Sequence, residues 1–74
     1  MERYIEFPSS EGFLSTERML EDIGLYYMVD RIDYAYDERM FLLRTKGSED
    51  EYEFAELLDF LEEEFGRGDV RDIT

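Results

Sequence analysis

Nine carboxylates and no base lie between Gly47 and Gly66, the densest run of ionisable side chains in the sequence. Carboxylates packed this closely can exchange protons with a substrate, hold a hard cation, or meet positive charge on another molecule. Proton exchange needs a carboxyl pKa raised by burial, and a chain of 74 residues has little depth in which to bury one. Histidine, the commonest general base and metal ligand, does not occur, and neither does cysteine. A thiolate nucleophile, a disulfide framework and a cysteine-based zinc site are thereby excluded. Asp30, Asp33 and Asp37 form a second acidic group, but their spacing does not match a calcium loop. Strand alternation also puts Asp30 and Asp33 on opposite faces unless a bulge realigns them. The sequence therefore predicts neither enzyme chemistry nor a metal or other cofactor. Contact with a positive partner is the use that remains.

Helical spacing organises the acids for that use. At 100° per residue, Glu49, Glu53, Glu56 and Glu63 fall opposite an apolar stripe, with Asp59 and Tyr52 at its shoulder and Phe60 in the same outer sector. Carboxylates three or four residues apart on a helix lie about 5–6 Å from one another, near the phosphate spacing along a nucleic-acid strand. They can then occupy arginine and lysine pockets, while Phe60 supplies an apolar anchor. The predicted partner-binding set is Glu49, Tyr52, Glu53, Glu56, Asp59, Phe60 and Glu63.

Net charge says which partners are excluded. Twenty-one acids against eight bases give −13, a charge that repels nucleic acid and anionic lipid alike. The partner expected is a basic nucleic-acid-binding protein, with no direct contact to nucleic acid or membrane. Small size, acidity and the lack of catalytic residues resemble the acidic, DNA-imitating inhibitors of viruses and mobile elements, of the anti-CRISPR or anti-restriction type. That resemblance implies a competitive inhibitor at work in the host cytoplasm. Acids at Glu2 and Glu6, where a signal peptide needs bases and an apolar run, and the want of any membrane-length segment agree with a cytoplasmic location. Three alternatives compete: an ordinary solvated face, a salt-adapted domain rich in acids with seven arginines and the single Lys46, and a small regulatory module. The last would form a homodimer through Tyr4, Met40 and Leu42.

The elements that must position these residues follow from alternation and turn chemistry. One α+β domain spanning 1–74 is expected, organised around a hairpin of Leu25–Tyr36 and Arg39–Lys46. If Asp37 and Glu38 form a two-residue turn, Tyr36 faces Arg39, Tyr34 faces Phe41, Ile32 faces Leu43 and Asp30 faces Thr45; a four-residue loop is the other option. Ile32, Tyr34, Phe41 and Leu43 then share the core side. The apolar phase slips near Asp30–Arg31, which predicts a bulge. Arg3–Phe7 reads as a strand that Pro8 ends or places at an edge. A short helix follows, capped by Ser15 with a Leu14–Met19 staple, turning Met19, Leu20 and Ile23 inward and stopping at Gly24.

Ser48 and Glu51 have capping-box spacing for a second helix, whose stripe is Phe54, Leu58, Leu61 and Phe65, flanked by Ala55 and Leu57 and closed by Gly66. Asp69–Ile73 reads as a last short strand. This order resembles the ferredoxin-like split βαβ arrangement, which implies an antiparallel sheet with two helices on one face. RNA-recognition domains share the order, but their glycine-aromatic signature is missing here and the charge has the wrong sign.

Overall fold

The computed structural model describes residues 1–8, 13–35 and 37–74 and, for 13–15, the backbone alone. Among these residues the fold is a small mixed α+β one: a four-stranded antiparallel sheet and two helices. The strands are β1 (Tyr4–Pro8), β2 (Val29–Ala35), β3 (Met40–Thr45) and β4 (Arg71–Asp72), and the helices α1 (Phe13–Asp22) and α2 (Glu51–Phe65). Their spatial order is β2-β3-β1-β4, which makes β1 and β3 the centre of the sheet. Pro8 is the last residue of β1, where its missing N–H does not interrupt the ladder.

Strict alternation explains the two central strands. Ile5 and Phe7 of β1 and Phe41 and Leu43 of β3 point to one side and are buried, while Tyr4, Glu6, Met40, Leu42 and Arg44 between them are half-buried. The hairpin register agrees with the sequence from Arg31 onward, pairing Arg31 with Arg44, Ile32 with Leu43, Asp33 with Leu42, Tyr34 with Phe41 and Ala35 with Met40. The predicted bulge lies between Val29 and Arg31 and corrects one pair: Val29, not Asp30, faces Thr45. Asp30 is the extra residue, and its insertion lets odd-numbered Val29 share the core with even-numbered Ile32. Arg39 belongs to the turn, with φ of 54°, so β3 begins one residue later than expected. The proposed Tyr36–Arg39 pair lies outside the described residues.

Three further expectations are corrected. The run Leu25–Met28 is not strand. A 3-10 helix spans Tyr26–Met28, preceded by Gly24 at φ of 77°. Leu25 N–H donates to Leu20 C=O at 2.9 Å and Gly24 N–H to Glu21 C=O at 3.0 Å, a Schellman closure of α1 with Leu20 and Leu25 both in the core. Ser15 is not a cap, because Phe13 and Leu14 are already helical; Arg18 three residues on cannot reach back as an acid would. Ser9, Ser10, Glu11 and Gly12, whose residue types read as a loop, lie outside the described residues. The inward positions of α1 include Thr16 and Leu20, both fully buried, whereas Ile23 after the last turn is 45% exposed.

The third correction concerns α2. Its cap is Asp50, which accepts from Glu53 N–H at 2.8 Å, while the Glu53 carboxylate accepts from Asp50 N–H at 2.9 Å. Ser48 stays outside because Glu49 turns back to the loop instead of entering the helix. The buried stripe is Phe54, Leu57 and Leu61, with Leu58, Phe60 and Phe65 partly buried against it and Ala55 exposed. The axis of burial is thus centred on Leu57, one residue before the expected Leu58. Residues of both helices and of one sheet face belong to a single apolar cluster. Replacing Asp50 with alanine should cost about 1 kcal/mol in urea unfolding, while Ser48→Ala should stay within about 0.5 kcal/mol. The opposite ranking would return the cap to Ser48.

Candidate functional site

The start of α2 is held by a chain of hydrogen bonds that reaches across the sheet. Thr45 is fully buried at the end of β3; its hydroxyl accepts from Arg3 N–H at 2.9 Å and donates to Glu49 at 2.6 Å. The second Glu49 oxygen accepts from Gly47 N–H at 2.9 Å. Gly47 has φ of 90°, and a Cβ there would come within 2.9 Å of the Met1 backbone, so glycine is required. Burial alone would raise the Glu49 carboxyl pKa, but the hydrogen bonds from Thr45 and Gly47 outweigh it and hold the group below its ordinary value. Asp72 is likewise pushed up by burial and drawn below its ordinary value by Thr74 and the nearby Arg3 charge. Arg3 completes the joint, with its guanidinium 3.7 Å from the Phe54 ring centroid and paired to Glu51 at 2.9 Å and Asp72 at 3.4 Å.

Two of the predicted contact residues are therefore engaged within the molecule. Glu49 precedes the helix and faces inward, which corrects its expected place on the outer face. Both oxygens of Glu53 are occupied, one by Asp50 N–H and one by the Tyr27 hydroxyl. The Tyr27 bond is the leading cause that lowers the Glu53 carboxyl, and with surrounding acids it pushes the Tyr27 phenol up to about 12. Phe60 is also corrected: it is half-buried, because it lies one turn after Leu57 on the buried side of the wheel.

The other four predicted residues come together. Tyr52, 77% exposed, leads a line of exposed Glu56, Asp59 and Glu63 along the outer side of α2. Asp59 has Arg67 at 3.4 Å, whereas Glu56 and Glu63 have no cation among the described residues. Along this line runs a groove of 250 Å³ lined by Ile23, Leu25, Glu56, Asp59, Phe60 and Glu63. Ile23 and Leu25 were not among the predicted contacts. The one sequence signal for them is Gly24 between them, since a left-handed residue swings the chain from α1 past the flank of α2.

Three other arginines are engaged away from α2. Arg31 pairs with Asp33 at 2.8 Å, Arg44 with Asp30 at 2.6 Å and Arg71 with Glu6 at 3.4 Å, all on the sheet face opposite the apolar cluster. That face is charge-balanced, and two acids of the Asp30, Asp33 and Asp37 group are held by arginine. Among the described residues no group of three or more acids is placed to hold a metal ion, and no helix is long and apolar enough to cross a membrane. Compared with protein-family models, curated proteins and solved structures, the chain matches none.

The hydrogen bonds of Glu49 carry a pH dependence. Its folded pKa lies below the unfolded one, so its contribution to stability is present above about pH 4 and lost as the pH falls further. Protonating the other acids relieves self-repulsion at the same time, so the comparison must be made between variants. Thr45→Val should lower unfolding free energy by about 1–3 kcal/mol at neutral pH, and the gap should narrow towards pH 3 in urea titrations. A gap that is constant with pH would show that Glu49 gains nothing from Thr45.

Proposed function

We propose that this protein is a binding module for a basic, nucleic-acid-handling protein, and that the outer carboxylates of α2 occupy arginine and lysine positions that would otherwise hold phosphates. The observation that carries the reading is the unequal distribution of charge. Five of the eight basic side chains, Arg3, Arg31, Arg44, Arg67 and Arg71, are in ion pairs, while Glu56 and Glu63 stand exposed without a cation among the described residues. Part of the excess of −13 thus stands uncompensated along α2, whereas ion pairs balance the sheet face.

The fold belongs to the same proposal. Strand order β2-β3-β1-β4 with antiparallel neighbours supports a ferredoxin-like reading, with both helices on one face of the sheet. In that arrangement α2 lies across the sheet and turns its acidic side outward on a rigid support. Uncompensated charge on such a surface speeds encounter with a basic groove and rejects acidic partners, while Tyr52 offers aromatic contact area. The molecule would act by competition, since the groove cannot hold carboxylates and phosphates in the same pockets. Dimerisation through Tyr4, Met40 and Leu42 gains less support, because the face they share is crossed by three ion pairs.

Fluorescence anisotropy of labelled DNA on basic nucleases and repressors tests the proposal. Added protein should release the DNA from its partner at physiological salt, and Glu56→Gln, Asp59→Asn and Glu63→Gln should each weaken that release about fivefold to tenfold. A partner that holds DNA and this protein together, or that binds the triple variant equally well, overturns it.

A further inference from the structure

We infer that the groove between the end of α1 and the outer edge of α2 is a seat for an arginine side chain of the basic partner. The inference rests on the acidic-surface reading and says which cation that surface is shaped to take. The groove has an apolar floor, built by Ile23 at 45% exposure, Leu25 at 7% and the half-buried Phe60 ring, and a rim of Glu56, Asp59 and Glu63. Its 250 Å³ is below the roughly 300–1,000 Å³ of sites that enclose small molecules, so it accommodates a single side chain.

Charge on the rim requires a cation, and the floor decides which one. A lysine ammonium is compact and strongly hydrated, and loses water on approaching apolar surface. A guanidinium is planar and weakly hydrated, stacks on an aromatic face and bonds a carboxylate through two N–H groups. The molecule already contains that arrangement once, on the same helix. Arg3 lies 3.7 Å from the Phe54 ring centroid and pairs with Glu51 and Asp72. Phe60 has Glu56 one turn before it and Glu63 one turn after it, the same aromatic-and-acid setting, and neither of these two acids is paired with an arginine among the described residues. Helical side chains lean towards the N-terminus, which carries the Phe60 ring over the turn of Glu56 and makes Glu56 the nearer partner. Asp59 is already engaged by Arg67. A second copy of this chain is a poor occupant, since two molecules of charge −13 repel.

The test titrates isotope-labelled protein with nona-arginine and with nona-lysine at physiological salt, following the Ile23 methyl and Phe60 ring resonances. Nona-arginine should bind about fivefold more tightly and shift both residues, and Ile23→Ser should remove that preference while leaving nona-lysine binding unchanged. Ile23 is exposed beyond the last turn of α1, so this variant should fold, which its amide spectrum would verify. Equal affinity for the two peptides, or shifts that leave Ile23 and Phe60 unmoved, overturns the seat while the acidic surface stands. Failure to bind either peptide overturns the acidic surface and the seat with it.

Discussion

The inward turn of the Glu49 carboxylate is the contact on which the rest of the second helix depends. A glutamate in an acidic run gains nothing by facing its neighbours, but here it finds a hydroxyl at the end of β3 and a backbone N–H at Gly47. Those bonds compensate for its partial burial and keep residues 47–49 in a loop, so that Asp50 becomes the cap. Phe54 then falls beneath Arg3, and Leu57 and Leu61 join Ile5 and Phe7 in the core. A charged side chain thus sets where an apolar helix begins.

Self-repulsion is the opposing constraint. A chain of 74 residues with net charge −13 has a small core and a large electrostatic cost of compaction. The molecule spreads its few cations where acids would otherwise crowd: across the outer sheet face and at the joint of the N-terminal strand with α2. Each exposed pair contributes little on its own, and their collective effect is to make one face neutral. The same pairs, with the bulge at Asp30, cover the edge strand β2 with charge and discourage pairing with another chain. On α2, Glu56 and Glu63 stay uncompensated among the described residues, beside an apolar groove.

Much of the sheet was legible in the sequence. Alternation placed Ile5, Phe7, Phe41 and Leu43 on one face, the hairpin pairs from Arg31 to Ala35 follow from it, and the slip in phase marked the bulge. The candidate site was legible in part. Glu56, Asp59, Glu63 and Tyr52 stand where the wheel puts them, but Glu49, Glu53 and Phe60 do not stand free on the outer face. A wheel assigns each residue an angle and cannot tell how far burial extends around the helix. Two capping boxes overlap in the sequence, Ser48 with Glu51 and Asp50 with Glu53, and local spacing does not choose between them.

Element order, strand faces and the division of α2 into an apolar and an acidic side were determined by the sequence alone, because they depend on periods of two and 3.6 residues that neighbours along the chain express by themselves. Which acids are consumed inside the molecule, where α2 starts, and the meeting of Ile23 with Phe60 were decided by the tertiary structure. Two of those depend on contacts between residues distant along the chain, Tyr27 with Glu53 and the end of α1 with the flank of α2, and the start of α2 depends on a Thr45 hydroxyl that also accepts from the distant Arg3 N–H. Such contacts exist only once the sheet has brought the segments together, and no local pattern encodes them.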